Sequence, residues 1–281
     1  MANKLEGKVE IITGAGSPAG IGKEVALAMA AEGAKVVVND IYKDPNGGYG
    51  ADRVVKMIKD AGGTAAANYD SVASMEGGQN IVKTAVDNFG RVDILVNTAG
   101  NFKIVPTIEL TEKDWDSIIA VHVKGMFSCT QAALKVMIPQ KSGGRIINFT
   151  SLAAYPPGIG PGASIAYCAA KAAVIGFTRN TALELEPHGI TVNAISPAAT
   201  TTLFPEKLVS GQPEPVYIAP ILVFLASEEG QEITSQIIAS RGNHLTFHAP
   251  IMQNPGPHRW FHKSGKWTID ELAEVVPKIV F

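Results

Sequence analysis

Apolar positions along residues 8–240 fall into two alternating patterns. Short apolar runs without clean alternation read as strands: KVEIIT (8–13), AKVVVND (34–40), GTAAANYD (63–70), VDILVNTAG (92–100), RIINFTS (145–151), ITVNAIS (190–196) and SQIIAS (235–240). Between them, helical spacing predicts helices over 21–33, 51–61, 75–89, about 112–138, about 165–187 and about 215–226. Gly33 marks the end of the first helix, and Thr111 with Asp114 opens the long one in capping-box spacing. Strands that are apolar on both faces belong in a parallel sheet covered by helices. Alternation of β and α then predicts a doubly wound α/β fold with a parallel sheet of about seven strands. No composition break divides this region, so residues 1–243 read as one domain. Residues 244–281 differ, with Pro250, Pro255 and Pro257 ahead of WTIDELAEVV, and read as an irregular C-terminal arm with a short helix near its end.

Composition narrows the function classes. The chain has 281 residues, 46% of them hydrophobic, enough for a sizeable core. Formal charge is −2 with 18% charged residues, which leaves no electrostatic footprint for nucleic acid or for an anionic membrane. Cys129 and Cys168 form neither a disulfide framework nor a ligand cluster and fit a reducing compartment. The start, MANKLEGKVEIITG, lacks an apolar h-region, no apolar run reaches the length of a membrane span, and KIVF is not an SKL address. A cytoplasmic protein is expected.

After the first strand comes TGAGSPAGIG (13–22), opening a helix. Glycines let the backbone turn sharply and approach a pyrophosphate at the positive helix N-terminus. Gly14, Gly16, Gly20 and Gly22 are available, with Ile21 starting the helix. Asp40 ends the second strand, where a carboxylate accepts hydrogen bonds from ribose hydroxyls and repels a 2′-phosphate, favouring NAD over NADP. Lys43 close by softens that exclusion. Further along, Tyr167 and Lys171 stand four positions apart in AYCAAKAAVIGFTR (166–179), so a helix makes them neighbours. A cation there lowers the phenol pKa from about 10 and makes it usable as an acid or base. Alone, the same spacing also fits a helix-edge tyrosine beside a solvated lysine.

Together these segments resemble the short-chain dehydrogenases/reductases: TGAGSPAGIG, NTAG (97–100), Ser151, YCAAK (167–171) and SPAATT (196–201), in that order, over nearly all of residues 5–243. The resemblance implies a Rossmann fold, NAD, and a dimer or tetramer acting on a small-molecule secondary alcohol. It assigns Tyr167 as general acid/base, Lys171 to lowering its pKa and binding the nicotinamide ribose, and Ser151 to the substrate oxygen, with Thr150 ranked below. Asp70 and Ser71 fall where the adenine is contacted. Asn97, Ala99 and Gly100 fall along the cofactor, and Pro197, Thr200 and Thr202 at the nicotinamide carboxamide. VVVND, ANYDSV, AVHVKGMF, PVYIAPILVFLASEE and GKWTIDELAEVV are similar to the (3R)-hydroxyacyl-CoA dehydrogenase part of multifunctional enzyme type 2 and its bacterial single-domain relatives. That points to 3-hydroxyacyl-CoA. A compact cyclic or steroidal alcohol, or a catalytically silent NAD-binding subunit, are the alternatives.

Several positions depart from the family. The glycine turn is longer than usual, so Gly16 takes the role of Gly14 or the turn bulges. His122 replaces the asparagine whose carbonyl serves a proton relay, and reads either as keeping that role or as a packed or solvated histidine. Ser151 and Tyr167 are separated by an enlarged Pro/Gly-rich loop, which either reshapes the substrate pocket, with Tyr155 pointing into it, or is a surface bulge. Lys103 and Lys207 read as surface lysines or as partners of CoA phosphates. His244, His248, His258 and His262 have i, i+4 spacings, but the prolines argue against the helix a metal site needs, so no metal is expected.

Overall fold

In the first strand, β1 (Val9–Thr13), every residue is buried, and parallel neighbours lie on both sides, β2 (Lys35–Asn39) and β4 (Ile94–Asn97). The computed structural model describes residues 3–155, 164–204 and 211–248. Strands β3 (Thr64–Asn68), β5 (Gly144–Phe149), β6 (Ile190–Ala198), β7 (Ile237–Arg241) and β8 (His244–His248) complete one eight-stranded sheet in the order β3-β2-β1-β4-β5-β6-β7-β8. The chain winds outward from β1 to β3, then returns to begin β4 on the other side of β1. That reversal opens a crevice above the C-terminal ends of β1 and β4.

Helices α1 (Ile21–Ala31), α2 (Gly50–Asp60) and α7 (Ala219–Ala226) cover one face, packing Val25, Met29, Val54, Ile58 and Leu222 against Ile12, Val36, Val38 and Ile195. Helices α3 (Met75–Phe89), α5 (Gly125–Gln140) and α6 (Ile165–Leu185) cover the other, packing Ile81, Ala133, Met137 and Leu185 against Ile11, Leu95, Ile146 and Val192. Burial on both faces is why the strands carry no alternation.

A polar row crosses this apolar sheet at its C-terminal end. Asn68, Asn39, Thr13, Asn97 and Asn148 lie in register across five strands. Their side chains satisfy one another: Asn39 donates to Asn68 at 2.8 Å, Asn97 to Asn148 at 2.9 Å, and Asn148 to Thr178 on α6 at 3.0 Å. Such a paired row fixes strand register where the crevice begins.

Two elements differ from the sequence reading. Residues 244–248, expected in the irregular arm, form β8, antiparallel to β7. A two-residue turn, Gly242-Asn243, closes this hairpin, with Gly242 at φ 54°. The long helix expected over about 112–138 is divided: α4 (Glu112–Ile119) passes through a π-turn, Ala120–Lys124, into α5. The terminal helix, Lys207, His258 and His262 lie outside the described residues.

Candidate active site

The crevice is lined first by the glycine turn. Gly14 has φ 66°, and a Cβ there would stand 2.7 Å from Ala99 Cα, so the β1 and β4 turns meet with no space for a side chain. Gly14 therefore makes the close approach, and Gly16 a different contact: its N–H donates to Asp40 Oδ2 at 2.7 Å. Asp40 Oδ1 accepts from the Tyr42 N–H at 2.9 Å, which holds the carboxylate at the end of β2 beside the turn. Helix α1 is preceded by Gly20 as its N-cap, which offers no side-chain cap. Its first-turn N–H groups are thus left for an anion at the positive end of the helix. Asp70 is clamped by Asn68 at 2.9 Å and Asn80 at 3.1 Å. Ser71 is exposed beside it and accepts from the Ala73 N–H at 3.3 Å. Just after β4, Thr98 bonds the Thr13 carbonyl and Ala99 N–H donates to Thr13 Oγ1 at 3.2 Å, so the segment from Asn97 to Gly100 is tied to the end of β1. Thr202 joins from the far side, its hydroxyl 2.8 Å from Ser17 of the glycine turn. Thr200 is committed elsewhere, donating to the Gln212 carbonyl at 2.9 Å, and Pro197 lies half-buried near the end of β6. An uncapped helix start, a glycine cradle and a carboxylate beside it fit a dinucleotide.

Tyr167 and Lys171 both sit in the first two turns of α6, which Ser164 caps by accepting from the Tyr167 N–H at 3.4 Å. Ser151 caps the turn Leu152–Ala154 and lies near enough to the Tyr167 hydroxyl to favour its phenolate. Thr150 cannot substitute for it, since its hydroxyl donates to the Lys171 carbonyl at 2.7 Å and ties α6 to β5. Lys171 Nζ donates to the Phe149 carbonyl at 2.8 Å and stands 5.5 Å from the centre of the Tyr167 ring. The expected lowering of the phenol pKa by Lys171 is not what this arrangement produces. Burial pushes Tyr167 upward, outweighing the lowering influence of Ser151. Burial also lowers Lys171 to about 7. The ammonium is turned to a carbonyl rather than the phenol oxygen, so desolvation dominates both groups.

A Ser–Tyr–Lys set facing a dinucleotide crevice is a hydride-transfer constellation, and comparison with known proteins agrees. Residues 8–213 match the short chain dehydrogenase family profile. The chain belongs to the short-chain dehydrogenase/reductase family. A short chain dehydrogenase from Mycobacterium avium has the same fold, with a TM-score of 0.87 and 33% identity, covering 99% of this chain and 95% of its own. The 3-oxoacyl-[acyl-carrier-protein] reductase of Synechocystis is 39% identical over 86% of this chain and 99% of that protein. The peroxisomal multifunctional enzyme type 2 of Mus musculus is 39% identical over 82% of this chain, which spans only 31% of the mouse protein. As a member of this family, the protein is an oxidoreductase using a nicotinamide cofactor.

The rest of this dehydrogenase site holds residues whose roles the sequence left open. His122 is buried on the π-turn, its Nε2 2.7 Å from the Asn101 carbonyl and 3.2 Å from the Asn101 N–H. Burial, reinforced by the Lys171 charge, lowers it to about 3, so the ring is neutral. It packs so closely that a Cβ on Gly100 would lie 2.8 Å from its Cε1. His122 is thus a packed histidine that pins the β4 turn, next to a cavity of about 10 Å³ also lined by Asn97 and Lys171, room for about one water. Tyr155 stacks on His248, ring centroids 4.8 Å apart, and packs with Val174, Ile175 and Ile237. His248, paired into β8, offers Tyr155 an aromatic partner that sequence order could not reveal. Lys103 is paired with Asp114 at 2.6 Å. Missed altogether were Phe102 and Phe204, which pack against Tyr167. Phe102 lies two residues beyond NTAG, the one signal that placed it near the crevice.

Proposed function

We propose that the protein is an NAD-dependent dehydrogenase interconverting (3R)-3-hydroxyacyl-CoA and 3-oxoacyl-CoA. The observation that carries the chemistry is buried Tyr167 with Lys171 one helical turn on, in α6. Substrate oxygen takes the place where the Ser151 and Tyr167 hydroxyls converge. Ser151 orients it, and Tyr167 gives a proton to the developing alkoxide in reduction or takes the hydroxyl proton in oxidation. Lys171, lowered to about 7 by burial, changes protonation near neutral pH one helical turn from the phenol. When bound, NAD supplies the hydride exchange with the carbinol carbon. Asp40 supports NAD because a 2′-phosphate beside its carboxylate would meet like charge. A homodimer or homotetramer accompanies this reading, with no nucleic-acid or membrane partner.

The multifunctional-enzyme relative supports the CoA thioester. The Synechocystis relative, matched over nearly its full length, supports a second reading in which the same thioester chemistry acts on acyl-carrier-protein substrates. The test is NADH formation with (3R)- and (3S)-hydroxyacyl-CoA, beside acyl-carrier-protein thioesters and free cyclic and steroidal alcohols. Turnover of the 3R CoA ester alone is expected. Turnover of free alcohols alone overturns the thioester assignment. Tyr167→Phe should abolish turnover while NAD binding persists; activity retained in that variant overturns the mechanism.

A further inference from the structure

At the pole of the sheet opposite the crevice, where the strands begin, lies a cleft of about 250 Å³. It is lined by residues at or just before the starts of β1, β4, β5 and β6 and by the end of α7. One water needs only about 10–15 Å³, so the cleft has room for a molecule of several heavy atoms. Four charged side chains line it: Lys8, Asp93, Arg145 and Glu228. Three of them are matched. Lys8 pairs with Glu228 at 2.9 Å, and Arg91 holds both oxygens of Asp93. Arg145 is the remainder, forming no ion pair among the described residues. Its guanidinium donates to the Gly144 carbonyl at 3.1 Å and the Ser227 carbonyl at 3.5 Å, which uses two of five N–H donors. Its Nε is buried with no partner. Thr191 is the register partner of Arg145 across β5 and β6, is 7% exposed, and its hydroxyl is also buried without a partner. Register partners share a face of the sheet, so two orphaned donors stand side by side. Burial lowers the Arg145 pKa, with Glu228 acting against it. That is the cost of a desolvated cation, which a bound anion offsets.

We propose that this cleft is a second binding site, for a small polar molecule with an oxyanion head held by the Arg145 guanidinium and the Thr191 hydroxyl. The planar guanidinium matches a carboxylate or a phosphate. Lys8 and Arg91 already balance Glu228 and Asp93, so one positive charge is left over and an anionic head is favoured over a neutral one. Ser142 and Gln231 also line the cleft and give the rest of the molecule polar contacts, which suits a hydroxylated or carboxylated body rather than an acyl chain. Strand β1 separates this site from the glycine turn by five residues, about 16 Å, so its ligand and the cofactor do not compete for space.

The test follows the thermal unfolding midpoint of the full chain against succinate and against inorganic phosphate, at constant ionic strength so that screening stays fixed. A ligand that binds the folded state raises the midpoint. Wild type should show a saturable rise with at least one probe, and the probe with the lower half-saturation tells a carboxylate ligand from a phosphate one. Arg145→Gln should raise the half-saturation concentration by roughly tenfold or more, and Thr191→Val by about threefold. Arg145→Lys, which keeps the charge without the fork, should fall between wild type and Arg145→Gln. Lys56→Gln, at an exposed lysine on α2, should match wild type. Phosphate held in the cofactor crevice contributes equally to every variant and drops out of the comparison. A second readout does not depend on stability: the arginine Nε–H NMR signal that disappears in Arg145→Lys should move in wild type over the same concentration range. If Arg145→Gln does not fold, that signal decides. No saturable rise and no movement of the signal with either probe overturns the site, and so does a rise that Arg145→Gln shares in full.

Discussion

Replacing Glu10 by leucine is expected to stabilise this protein, and more so at pH 8 than at pH 5. Glu10 lies in the middle of β1 with no exposure, and neither carboxyl oxygen has a hydrogen-bond partner. Its neighbours in the same row of the sheet are Val36 and Ile94. Two costs follow. A buried polar group without a partner costs about 1–3 kcal/mol at any pH. Ionisation adds a pH-dependent cost. Burial holds the folded-state pKa well above the ordinary 4.5. Above that ordinary value the unfolded chain releases its proton while the folded protein keeps it. Stability then falls as pH rises, by up to about 1.4 kcal/mol per unit, until the folded-state pKa is reached. Glu10→Leu removes both costs. Glu10→Gln keeps the unpartnered polar group but cannot ionise. Urea denaturation of the three proteins from pH 5 to pH 8 separates the two. Between pH 5 and 7 wild type should lose up to about 2.7 kcal/mol relative to either variant. Parallel pH profiles for wild type and Glu10→Gln would refute the ionisation cost. A leucine variant less stable than wild type at pH 8 would refute the burial reasoning altogether.

His122 should act with the opposite sign. Its folded-state pKa of about 3, against an ordinary 6.5, means that the unfolded state binds the extra proton as pH falls below 6.5. Stability is lost in that window at up to about 1.4 kcal/mol per unit, and His122→Asn should flatten the acid limb of the profile, measured by the same denaturation series. Asp40→Ala should raise the NADP-to-NAD ratio of kcat/KM by tenfold or more, about 1.4 kcal/mol or above. An unchanged ratio means that the carboxylate beside Gly16 does not select the cofactor.

Much of the site was legible because its parts are local. Tyr167 and Lys171 are one helical turn apart, and the glycine turn joins one strand to the next helix, so period and spacing place them. Asp40 follows from the length of that βα unit. The strands declared themselves as apolar runs because helices cover both faces of the sheet. Strand β8 was hidden by the prolines that follow it, although Gly242-Asn243 between a strand and the alternating HLTFH is a hairpin signal. The interruption at His122 was invisible because a π-turn keeps the composition of the helix around it.

What the sequence determined by itself is therefore the order of elements, the doubly wound class and the pairing of Tyr167 with Lys171, all consequences of short-range periodicity, while Ser151 came from the resemblance of its motifs to the family. Only the tertiary structure decided the protonation of that pair. Phe102, Phe204 and His122 come from three separate segments and meet only around Tyr167. By excluding water they raise the phenol pKa, while burial brings Lys171 down to about 7. A pKa in a site depends on everything packed within a few ångströms, and that neighbourhood is assembled from residues distant in the chain.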